Sequence, residues 1–85
     1  MASEEKKNLR NRIEAGEKML EDHRTAYKAA SERVERAVIF TGSEDDARSL
    51  APDAFERVKI EEAKIAEIEK LLDERRTEFR NLGSS

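Results

Sequence analysis

The sequence predicts an all-α fold, an antiparallel two-helix coiled-coil hairpin that dimerises into a four-helix bundle. Three observations predict it. Leu9, Ile13, Gly16, Leu20, His23, Tyr27, Ala30, Val34 and Ala37 recur in steps of four and three, the spacing of a seam made to lie against another helix. Ala54, Val58, Glu61, Ile65, Ile68, Leu72, Arg75, Phe79 and Leu82 repeat the same step. Between the two runs lies a short polar stretch rich in turn residues, so one helix folds back on the other.

Composition agrees with a rod rather than a globule. Only 36% of the residues are apolar and 44% are charged, a balance that suits long solvated helices. A hairpin of 85 residues buries little surface on its own, and burial against another copy or another protein is expected to complete the fold. Disorder is disfavoured, because mixed charge is spread around a strict apolar period. The net charge of −3 offers no broad basic field for a phosphate backbone, so nucleic-acid binding is not expected. With no cysteine there are no disulfides or thiolate metal sites. No apolar run approaches a membrane span, and the first residues are too charged for a signal peptide; a soluble, cytoplasmic protein without cofactors is expected.

Taken in order, the chain reads as a single domain, residues 1–85. Ser3 is a candidate N-cap, with Glu4 and Glu5 at the positive end of the helix dipole. Helix one runs over about residues 4–40. Gly16 costs it up to about 1 kcal/mol relative to alanine, and with Ala30 and Ala37 at the same heptad position it lets the second helix approach closely. A tip over residues 41–51 follows, in which Gly42 terminates helix one and Ser43 caps a short helical turn through Leu50. Pro52 suits the first position of helix two, which is expected over residues 52–82, with a tail at 83–85 stopped by Gly83.

Antiparallel pairing supplies an internal check, because correctly matched flanking positions share a nearly constant sum of residue numbers. Glu17 then meets Arg76, Arg24 meets Glu69 and Val38 meets Phe55 on one flank; Arg12 meets Glu78 and Met19 meets Leu71 on the other. Arg33 against Arg57 is the one violation. Gly16 falls beside Leu72 and Phe79. Three seam residues are polar: His23 reads as a core histidine with one nitrogen satisfied, Glu61 is placed to accept from the Tyr27 hydroxyl, and Arg75 carries its head into water. All three are expected to set register, as a lone polar seam residue does.

One face is left over. Ala15, Met19, Ala26, Ala29 and Phe40 on helix one and Ile60 and Leu71 on helix two are too apolar for a solvated surface, and this face is the expected partner or dimer face. The tip is a second candidate site, where Glu44, Asp45 and Asp46 stand beside Leu50 and Phe55.

Catalysis is not expected. Leu9-Arg10 with Ile13 faintly resembles the first helix of the all-helical chorismate mutases, but no lysine follows Lys28 on that helix, and the third helix such a site needs is missing. A metal site lacks ligands, with one histidine and carboxylates that do not alternate as in a calcium loop. The layout is also similar to the antiparallel coiled-coil fingers that bind Rho-family GTPases, with residues 9–20 and 63–72 as the similar stretches, a similarity that any antiparallel finger would share. The reading adopted is a non-enzymatic protein–protein interaction module that self-associates, docks a partner protein, or both. The alternative is a small acidic inhibitor of virus or mobile-element type that blocks a basic groove of a host enzyme.

Overall fold

The structure is a computed structural model that describes residues 2–84, with the side chains of residues 4–83. It is all-α. Helix α1 spans Ala2–Thr41, α2 spans Glu44–Leu50 and α3 spans Pro52–Ser84. The molecule measures 59 × 14 × 14 Å, about the length of α1 alone at roughly 1.5 Å per residue; α1 and α3 therefore lie side by side. Partners across them run in opposite order, Glu17 with Arg76, Arg24 with Glu69 and Arg33 with Asp53, so the end of α1 and the start of α3 share one end of the rod.

The seam residues decide which faces meet. Every member of both heptad runs is buried or half-buried. The most enclosed apolar ones are Leu9, Leu20, Ala30, Ala37, Ala54 and Leu72. Much of this core is alanine, which limits the energy that burial supplies but brings the helix backbones close. Gly16 takes part in the same close approach. A Cβ built on it would stand 2.7 Å from Leu72 Cδ2, so the small residue and the large one fill each other's space. Phe79 lies nearer the base than expected, in contact with the cationic ends of Lys6 and Arg10 at 5.4 and 5.7 Å from its ring centre.

At the tip, local chemistry sets each boundary. Gly42 adopts φ 84° and donates its N–H to Val38 O at 2.7 Å, ending α1 with a left-handed residue. The Thr41 hydroxyl sits between Ala37 O at 2.8 Å and Ser43 O at 2.9 Å, fastening the turn. Ser43 is extended and its Oγ accepts from Asp46 N at 3.1 Å, the N-cap of α2. Ala47, fully buried, is the residue α2 turns inward. Ala51 interrupts the helix and Pro52 starts α3, where its missing N–H costs nothing.

Several expectations change. Ser3 lies inside α1 rather than capping it, since the helix already includes Ala2. The helix that begins at Pro52 continues through Gly83 to Ser84; glycine stops a helix by taking a positive φ, and Gly83 does not take one. The last tail residue, Ser85, lies outside the described residues. Arg33 and Arg57 do not face each other as like charges: Arg33 turns to Asp53 at 3.0 Å and Arg57 to Glu61 at 3.0 Å. Glu78 is taken by Arg75 on its own helix at 3.4 Å rather than by Arg12. These surface pairs contribute about 0–1 kcal/mol each, so they fix direction more than strength.

The Gly16 contact yields a direct check. Gly16→Leu overpacks the seam and is expected to cost about 1–3 kcal/mol, read as a lower midpoint in thermal melts followed by circular dichroism. Adding Leu72→Ala to that variant should return part of the loss. A Gly16→Leu chain that melts at or above the parent would show that the helices do not approach there.

Candidate functional site

Two of the exposed large apolar residues meet on one flank. Met19 is 53% and Leu71 48% exposed, and the two face each other across the α1–α3 interface. With Ala15, Ile68, Arg12 and Arg75 they line a shallow groove of about 310 Å³ floored by Gly16 and Leu72. The groove continues towards the tip past His23, Lys64 and Glu67. Towards the base it meets a polar depression between Glu5, Arg12 and Glu78.

The remaining residues of the expected face are distributed differently. Ala26 is half-buried and Ala29 exposed, about two and nearly three turns beyond Met19. Ile60, 41% exposed, lies with Phe55 in a separate groove edged by Arg48, Pro52 and Lys59. The structure thus joins one residue of the expected face to one of the expected tip site. Phe40, 82% exposed, and Ile39, 75% exposed, stand out near the end of α1 and line neither groove.

At the tip, the acidic run has structural employment. Glu44, Asp45 and Asp46 all occupy the first turn of α2, where carboxylates favour the helix dipole. Glu44 accepts from Arg48 at 3.1 Å, and the Arg48 guanidinium also stacks 5.1 Å over the Phe55 ring. Leu50 is exposed.

A buried polar cluster occupies the seam itself. Glu61 is fully enclosed. Its Oε2 accepts from His23 Nδ1 at 2.6 Å across the two helices, which makes Nδ1 the nitrogen that carries hydrogen. Arg57 Nε approaches Oε1 to 3.0 Å, off the direction a hydrogen bond needs, and Oε1 has no hydrogen-bond donor. The histidine bond holds the Glu61 carboxyl below its usual value against the desolvation that raises it, and the charges of His23, Arg57 and Lys64 add to the lowering. Asp53 is likewise held low by the hydrogen bond from Arg33.

Sequence reasoning named His23 and Glu61 but not their contact, giving Glu61 to Tyr27. The imidazole reaches Oε2 from one turn along α1, with Nδ1 at 2.6 Å. A Glu one turn from a His across an antiparallel seam was the available signal. Among the described residues no group of three or more His, Asp or Glu is placed to hold a metal ion, and no helix is long and apolar enough to cross a membrane. Comparison with protein-family models, with curated proteins and with solved structures finds no match.

The lowered Glu61 carboxyl fixes the sign of a pH effect. Its stabilisation is fully present above the unfolded value near 4.5 and is lost as pH falls through the lower folded value; Asp53 acts in the same direction. Thermal midpoints should fall on acidification below about pH 5. Glu61→Gln should melt several degrees lower at neutral pH and lose less on acidification. Parallel pH profiles for the two proteins would show that Glu61 is not linked to folding.

Proposed function

We propose that the chain is a non-enzymatic protein–protein interaction module, an antiparallel coiled-coil hairpin that self-associates through the flank carrying Ala15, Met19 and Leu71 to form a four-helix bundle. The observation that carries this reading is the side-by-side exposure of Met19 and Leu71 across the α1–α3 groove. Burying a large aliphatic side chain contributes roughly 1.5–3 kcal/mol, and a symmetric pair buries each residue twice. The hairpin is supported by the opposite order of cross-helix partners and by the enclosure of both heptad runs.

The blocking-inhibitor alternative rests on the acidic tip, and its support is thinner: Glu44 is held by Arg48, and all three acids serve the start of α2.

Light scattering at micromolar concentration tests the proposal. The parent chain is expected as a dimer, and Met19→Glu with Leu71→Glu as a monomer whose helical circular dichroism is retained. A parent chain that is monomeric and fully helical would overturn self-association.

A further inference from the structure

The charges along the Met19 and Leu71 flank are sorted by position. The flank is formed on α1 by Arg12, Met19, Ala26, Arg33 and Phe40, seven residues apart, and on α3 by Arg57, Lys64, Leu71 and Glu78 with the same spacing. Its base half carries Glu5, Glu74 and Glu78, with Glu5 and Glu78 lining one depression. Its tip half carries Arg36, Arg57 and Lys64. Arg12 in the base half and Asp22, Asp53 and Glu67 in the tip half are the exceptions; Asp53 is already held by Arg33, and Asp22 and Glu67 lie within about a turn of the middle, so the excess is acidic towards the base and basic towards the tip. Met19 and Leu71 lie close to the middle of the rod, where the two halves meet.

Resting on the self-association proposed above, we infer that the occupant of this flank is a second copy of the chain running in the opposite direction, its base against the first copy's tip. A twofold axis level with Leu20 and Ile68, within a turn of Met19 and Leu71, then brings Glu5 of one copy to within about two residues of the level of Arg36 of the other, and likewise Glu78 to Arg57 and Glu74 to Lys64. Each pair occurs twice. A copy running in the same direction would set each of these charges against its own like. The flank of a rod 59 Å long and 14 Å wide matches the roughly 800 Å² per partner that a specific interface takes, and Ala15, Ala26 and Ala29 leave room for a helix to approach.

Cross-linking reads the direction. The chain has no cysteine, and Glu5 and Arg36 are separated on one helix by about 46 Å, so Glu5→Cys with Arg36→Cys in one chain can join only between copies. Mild oxidation is expected to give a covalent dimer, and neither single variant alone should give one. A dimer by light scattering that fails to cross-link, or that cross-links with Arg36→Cys alone, would overturn the opposed direction while leaving self-association standing. A monomer would overturn both. As a second arm, Arg36→Glu should weaken dimerisation roughly tenfold, since it replaces two attractive pairs by two repulsive ones, and adding Glu5→Lys should restore it. An Arg36→Glu chain that dimerises as well as the parent would contradict the inference.

Discussion

A carboxylate buried in a two-layer rod is a demanding constraint, and Glu61 imposes it here. The rod is 14 Å across, so a seam position has neighbours from the facing helix and its own and little else. Glu61 is ionised at neutral pH, enclosed, and bound by His23 through Oε2 while Oε1 lacks a donor. Removing the partner of such a charge costs far more than the pair contributes, so the pairing acts chiefly against wrong arrangements. Sliding α3 along α1 by one heptad would set Gly16 or Ala30 where the imidazole now meets Oε2 and break the present bond. The apolar seam alone would penalise that slip less.

The other parts of the structure follow from that alignment. With His23 and Glu61 matched, Leu72 falls on Gly16, and Arg76 and Glu69 reach Glu17 and Arg24. Ala30, Ala37, Ala47 and Ala54 pack towards the tip, where the chain must turn within a few residues. Alignment also decides what remains outside. Met19 and Leu71 come to the same level on one flank, while charged pairs cover the other. A seam rich in alanine and interrupted by a buried carboxylate has little apolar burial in reserve.

Much of this was legible in the residues. Heptad spacing located both long helices, Gly42, Ser43 and Pro52 marked the breaks, and small seam residues pointed to the close approach at Gly16. The errors arose where side-chain reach matters more than level. Glu61 stands level with Tyr27 yet bonds His23, and Glu78 turns to Arg75 within its own helix rather than across to Arg12. Long polar side chains choose among partners within a turn in either direction, and a sum of residue numbers cannot rank them. The helix end at Gly83 was misplaced for a related reason, because a glycine permits a stop without requiring one.

The register claim can be measured by spin labels placed at Glu17 and Arg76, whose side chains lie 3.6 Å apart across the helices. In the parent chain the label distance should be short, with one narrow distribution. Replacing His23 and Glu61 together by leucine removes the polar match and keeps the seam apolar; a second population displaced by about 10 Å, one heptad of helix rise, is expected to appear. A distribution as narrow as the parent's in that variant would contradict the account and assign the register to the apolar seam.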